Sequence, residues 1–264
     1  MARAVGGTFL LRIEDIDTTR ARHEWEHQIF DDLTWLGLTW DDDDPMRQSD
    51  RSQNYRDALN TLRQIDGVLY PCTCSRKDII GALSAPQEGD ELQYGPDGLI
   101  YPGTCRGALW TGDDAPNSQS IRLDMAKALT AIGPKEICFS EDGAPSHIQS
   151  KTMCFSHSDL LADVGDIVLS RKDFIGSYHL SVVLDDAAQG ITHVVRGEDL
   201  FDATKIHVVL QHLLQLPTPT YHHHALIRDA QGKRLAKRDD ARAIAKYRAD
   251  GATPQDIREM VGLP

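Results

Sequence analysis

The chain has 264 residues, 41% hydrophobic and 26% charged, with a net charge of −12 at neutral pH. That length allows one large domain or two small ones, and the acidity argues against indiscriminate nucleic-acid binding while leaving room for a local basic patch. No run of about 18 apolar residues is present to cross a membrane and no secretory leader opens the chain, so a cytoplasmic protein is expected. Five cysteines, an odd count, argue against a disulfide framework.

The first predicted element is a buried strand, Phe9–Ile13 of GGTFLLRIEDIDTTR, running into the charges of Glu14, Asp15 and Asp17. TTRARHEWEHQIFDDLTWLGL follows as a helix with Trp25, Ile29, Leu33 and Leu36 at helical spacing. WDDDDP reads as a solvated loop, with magnesium binding a weaker alternative, and QNYRDALNTLRQID as a second helix. GVLYPCTCS is a short strand leading into a turn. Residues from about 76 to 120 are rich in Gly, Pro and acid with little periodicity, which predicts an insertion held by something other than an apolar core.

Regularity returns near residue 164. DIVLSRKD and YHLSVVLDDA read as strands, with Asp185-Asp186 a charged strand end. ITHVVRGEDLFDATKIHVVLQHLLQL reads as strand, charged turn and helix. YHHHALIRDAQGKRLAKRDD is a strand, a glycine turn and a basic loop. The tail forms two short helices, the second started by Thr253-Pro254. Strands alternating with helices favour a parallel α/β sheet.

Three apolar strands end in charge: at Glu14, at Arg196, and, after Ala225–Ile227, at a loop holding Lys233, Arg234, Lys237 and Arg238. In open parallel sheets ligands bind outside the carboxyl ends of strands. A carboxylate for an ammonium, a guanidinium for a carboxylate and a lysine for phosphate suit an amino acid plus a polyphosphate. Four cations in six positions of an otherwise acidic chain are best explained by a bound polyanion.

Cys72-Thr-Cys74 and, downstream, Cys105 offer three thiolates, and Tyr101 stands four residues before Cys105 as a feasible fourth ligand. That set could close a tetrahedral zinc site, with free cysteines the alternative; the spacing is not that of a standard finger, and the metal reading draws on an intervening segment poorly suited to an apolar core and on Pro71 and Gly103 beside the two clusters. Cys138 and Cys154 read as structural. In His222-His223-His224, His222 and His224 share a strand face, read as a polar face because no acid is close in sequence.

LLRIEDID, GSYHLSVVLDDAAQGITHVVRGEDL and KRLAKR together resemble the catalytic half of glutamyl-tRNA synthetases, with RLAKR at 234–238 similar to the class I signature loop usually written KMSKS. The YPCTC…YPGTC pair is similar to the zinc site of a shorter paralogous family, the glutamyl-queuosine tRNA(Asp) synthetases. The resemblance implies a class I Rossmann-like α/β sheet, a zinc-binding insertion and a short helical tail. Its parts would be residues 1–70, an insertion over 71–163, and a second catalytic part over 164–264.

It also implies a ligase that activates L-glutamate with ATP and Mg2+ and transfers it to queuosine at the wobble position of tRNA(Asp), working as a monomer. By motif, Glu14, Tyr178 and Arg196 would contact glutamate. The loop Arg234, Leu235, Ala236, Lys237 and Arg238 would contact ATP, with Lys237 catalytic through the phosphates. Cys72, Cys74, Tyr101 and Cys105 would hold one structural Zn2+. Ala236 stands where the signature often has a hydroxyl. The family's HIGH-type tetrapeptide has no counterpart upstream of RIEDID, so the first strand and that loop are expected to be absent and glutamate activation by this chain weak. A short glutamyl-tRNA synthetase charging tRNA(Glu), and a non-catalytic glutamate- or RNA-binding remnant, are the alternatives.

Overall fold

The computed structural model describes residues 1–17, 21–84, 92–110, 119–143, 151–228, 232 and 243–263. In chain order the elements begin with a 3-10 turn over Ala2–Val5, β1 (Arg12–Ile13), α1 (His23–Trp35), β2 (Met46–Arg47), a second 3-10 turn and α2 (Ser52–Arg63). They continue with β3 (Leu69–Cys72), α3 (Arg76–Ser84), β4 (Tyr94–Gly95), β5 (Gly98–Leu99), β6 (Ser120–Leu123) and α4 (Met125–Ile132). Next come β7 (Ile137–Ser140), β8 (Thr152–Phe155), α5 (His157–Asp163), β9 (Ile167–Ser170), α6 (Tyr178–Ala188) and β10 (His193–Gly197). After a 3-10 turn over Glu198–Leu200 the chain ends with α7 (Thr204–Leu214), β11 (Thr220–His224), α8 (Ile244–Ala249) and α9 (Pro254–Met260).

The chain divides into two units, one of residues 1–49 and 226–264, the other of residues 50–225. In the first, β1 and β2 pair in parallel, Arg12 opposite Met46. The strand expected over Phe9–Ile13 shrinks to two residues, and of its apolar side chains only Ile13 is buried. What holds the rest is the WDDDDP loop. Asp41 accepts the Phe9 N–H at 2.7 Å and Asp42 the Leu11 N–H at 3.0 Å, so these acids pair with backbone in place of a neighbouring strand. Arg3 also binds Asp41 at 2.7 Å, and the two contacts hold that carboxyl below its ordinary range, the Phe9 N–H contributing most. At the other end of this unit, Thr253 and Asp256 cap α9 reciprocally behind Pro254, as the sequence predicts.

The second unit carries the apolar core. Tyr55, Ala58, Leu59 and Leu62 face inward from α2 at helical spacing, and α4, α6 and α7 contribute Met125, Leu129, Leu180, Val183, Ile206 and Leu210. This unit holds a three-stranded antiparallel sheet, in the order β3-β6-β9, and the separate antiparallel pair β7–β8. Parallel pairing among the described residues occurs at β1–β2 and β10–β11, with a further parallel bridge from Glu141 to Tyr221. The alternation of helices and strands is as expected, but the strands form several small sheets rather than one parallel sheet.

Three local expectations are overturned. YHLSVVLDDA is the helix α6, not a strand: the Ser177 side chain caps it at the Leu180 N–H, and burial on several faces hides the helical stripe. Asp185 is therefore no strand end; it lies buried inside that helix, bound by Arg51 at 2.5 Å and the Tyr55 hydroxyl at 2.7 Å. The segment after Cys74 begins with α3, announced by reciprocal Ser75–Asp78 hydrogen bonds, an S-x-x-D signature in SRKD. Lastly, Cys138 and Cys154 are register partners across β7–β8 and form a disulfide, against the expectation of none.

Candidate functional site

In the unit of residues 50–225, parallel pairing of β10 with β11 sets Arg196 opposite His223. Alternation along β11 turns Tyr221 and His223 inward and leaves His224 exposed. The Arg196 Nε–H donates to His223 Nε2 at 3.1 Å, and His223 Nδ1 lies 2.6 Å from Glu141 Oε2. Glu141 Oε1 also accepts the backbone N–H groups of His223 and Gly143, each at 3.0 Å. The acids missing from the local sequence are thus supplied by the chain just after β7: Glu141 holds the buried His223, and Asp142 lies 2.8 Å from Nδ1 of the half-buried His222.

Most of the remaining Arg196 guanidinium is engaged as well. Nη2 donates to Thr204 Oγ1 at 2.6 Å and to the Leu200 carbonyl at 3.3 Å, and Nη1 lies 3.1 Å from His207 Nδ1. His207 continues to His179 at 3.1 Å, and His179 to Asp97 in the β4–β5 turn at 3.3 Å. Tyr178, at the start of α6, sets its ring edge-on to His207 and His179 with centroids 5.8 and 5.4 Å apart. Tyr178 and Arg196 thus meet through His207.

Burial, reinforced by the positive charge of Arg196, holds His207 well below the ordinary histidine range. His223 is also lowered: burial together with Arg196 outweighs the stabilising Glu141 carboxylate. Both rings are neutral near pH 7. A partly exposed guanidinium whose directions are set by buried neutral partners is suited to receive a carboxylate.

Glu14 follows β1 in the other unit, where Arg12 approaches it at 3.3 Å and its side chain is 45% exposed. Arg234, Leu235, Ala236, Lys237 and Arg238 lie outside the described residues. The third expected strand runs over Thr220–His224, not Ala225–Ile227.

The cysteine motifs do converge. Tyr101 Oη lies 3.4 Å from Cys72 Sγ and 3.3 Å from Cys74 Sγ, and the Cys74 and Cys105 sulfurs are 3.5 Å apart. Zinc–sulfur bonds of about 2.3 Å put tetrahedral sulfurs roughly 3.8 Å apart, so this four-atom cluster is close to the size the ion requires. Burial raises the Cys105 thiol, but hydrogen bonds from the Tyr101 hydroxyl, the Thr73 N–H and the neighbouring thiols prevail and leave it at about 7. A thiolate is therefore within reach near neutrality, and Tyr70, Cys72 and Tyr101 form a small buried cluster with Cys74, Ile79 and Cys105 packed on it.

Sequence reading missed Glu141, His179, Thr204 and His207, each recruited by tertiary contact. A signal existed only for the last two: polar residues placed among the apolar residues of a helix buried on all sides, TKIHVVLQ.

The family model described as class I tRNA synthetases (E and Q), catalytic domain, matches residues 1–89 and 151–263. A protein of Rhodobacter capsulatus named glutamyl-Q tRNA(Asp) synthetase is 58% identical over 270 residues, spanning all of this chain and 91% of the relative. One of the same name from Cupriavidus metallidurans is 39% identical over 99% of this chain and 74% of its own length. Among solved structures, a glutamate tRNA ligase from Elizabethkingia meningosepticum in complex with its amino acid superposes with a TM-score of 0.70 at 25% identity, over 97% of this chain. The chain spans 54% of that longer protein.

Proposed function

The chain belongs to the class I tRNA synthetases of the glutamate and glutamine type, and on that premise we propose that it activates L-glutamate with ATP and transfers the glutamyl group to queuosine in tRNA(Asp). The observation carrying this reading is the 58% identity, over the whole chain, to a relative named for that activity.

In the first step a substrate carboxylate oxygen attacks the α-phosphorus of ATP, giving a glutamyl adenylate and releasing pyrophosphate. A hydroxyl of the queuosine base then attacks the acyl carbon, and AMP leaves. No protein nucleophile is needed, so the residues act by positioning and by charge. Arg196 holds a carboxylate of glutamate beside the Tyr178 ring, and Glu14 takes the ammonium. Lys237, in the basic loop, stabilises charge developing on the phosphates. Bound Mg2+ would supply charge neutralisation of the polyphosphate. Cys72, Cys74, Tyr101 and Cys105 would hold a structural zinc, which would fold and fix the insertion.

Amino-acid-dependent exchange of pyrophosphate into ATP tests the activation half. Exchange dependent on glutamate and indifferent to glutamine and aspartate supports the reading. Exchange promoted equally by glutamine overturns it.

A further inference from the structure

Arginine can only donate hydrogen bonds, and that fixes the direction of every bond around Arg196. Because its Nη1–H faces His207 Nδ1, that nitrogen accepts, and the His207 proton must sit on Nε2. His207 Nε2–H then donates to His179 Nδ1, which puts the His179 proton on Nε2, facing Asp97. On the other side Arg196 Nε–H faces His223 Nε2, so the His223 proton sits on Nδ1 and is donated to Glu141. Each of the three rings is left with one accepting nitrogen and one N–H, and both branches end on a carboxylate. With Nη2 spent on Thr204 and Leu200, four of the five guanidinium N–H groups point inward. The second Nη1–H has no partner among the described residues.

We propose that Glu141, through His223, and Asp97, through His179 and His207, are positioning residues that fix Arg196 as a one-point donor to the substrate carboxylate. The inference rests on the assignment of Arg196 to glutamate made above. Neither acid touches the substrate; each sets a histidine tautomer, and the tautomers set the guanidinium. The isosteric change Glu141→Gln is diagnostic. Its oxygen is retained by the two backbone N–H groups that Glu141 Oε1 now accepts, which turns the amide nitrogen toward His223. His223 Nδ1 must then accept, its proton moves to Nε2, and that N–H confronts Arg196 Nε–H.

The test is calorimetric titration of the full chain with L-glutamate, paired with nitrogen-15 NMR of the histidine side chains. In Glu141→Gln the His223 proton is expected to move from Nδ1 to Nε2. Glutamate affinity should fall at least about tenfold, as for a lost charge-assisted hydrogen bond, with ATP affinity unchanged within about twofold. His207→Asn keeps an acceptor facing Nη1 and should lose clearly less glutamate affinity than His207→Leu, which should lose at least about tenfold. The histidine pair supplies the answer should Glu141→Gln fail to fold. Unchanged glutamate affinity in Glu141→Gln, or equal affinities of the two His207 variants, overturns the inference while leaving the function standing, provided Arg196→Gln abolishes binding. If the parent binds no glutamate, or Arg196→Gln binds it normally, the assignment of Arg196 fails and the inference with it.

Discussion

Replacing the buried Asp166 with alanine would strand four donors. This carboxylate, 3% exposed, accepts the Tyr70 hydroxyl at 2.5 Å and the Met125 N–H at 3.0 Å, and it takes Arg106 through Nε at 2.6 Å and Nη2 at 2.9 Å. Tyr70 and Met125 are fully enclosed and cannot turn to water, so each lost partner costs about 1–2 kcal/mol. The Arg106 side chain is 43% exposed and is largely rehydrated when released, which limits its share to about 1 kcal/mol. The sum is about 4 kcal/mol, and at roughly 2–4 °C per kcal/mol for a chain of this size the melting temperature should fall by about 8–16 °C. Asp166→Asn, which keeps one acceptor, should lie between the two. Tyr70 and Arg106 flank the cysteine motifs, so the variant should also retain less metal. Differential scanning calorimetry measures the shift. A fall smaller than about 3 °C would refute the view that Asp166 ties the cysteine insertion to the core.

Protein purified without chelator should carry about one zinc per chain, and Cys105→Ser should carry much less; metal analysis of both reads the outcome. Because His207 and His223 are held below the usual 6.5, the folded chain binds fewer protons than the unfolded chain below that pH. Their contribution is complete above pH 6.5 and is lost as pH falls through the lowered values, so stability should drop on acidification. The slope should be shallower in His207→Asn, as followed by thermal melts across pH. At Gly143 an added Cβ would lie 2.7 Å from the His223 nitrogen and 2.8 Å from its carbonyl oxygen. Gly143→Ala should therefore displace β11 at a cost of about 1–3 kcal/mol, seen in chemical denaturation.

Helices with one apolar face and clear caps were legible in the sequence: α2 by its Tyr55-Leu59-Leu62 stripe, α9 by Thr253-Pro254. So was the convergence expected of Cys72, Cys74, Tyr101 and Cys105, because the two motifs share turn residues and lack a competing core. Helix α6 was misread because its exposed face is narrow and Val182 and Val183 favour strands in isolation; burial decided against propensity. The opening segment was misread because apolar character was taken for strand pairing, while the backbone groups of Phe9 and Leu11 are answered by aspartate side chains. At the site, Arg196 and Tyr178 stood out by resemblance. Glu141 could not, since it lies 82 residues before the histidine it holds and no local pattern links them.

The central claim is that the glutamyl group goes to a base in the anticodon, not to the end of the tRNA. Incubation of the chain with ATP, labelled glutamate and tRNA(Asp) bearing queuosine, followed by nuclease digestion, locates the label. The account predicts label in the anticodon fragment, and none on tRNA(Asp) lacking queuosine or on tRNA(Glu). Label at the 3′ end of tRNA(Glu) would contradict it.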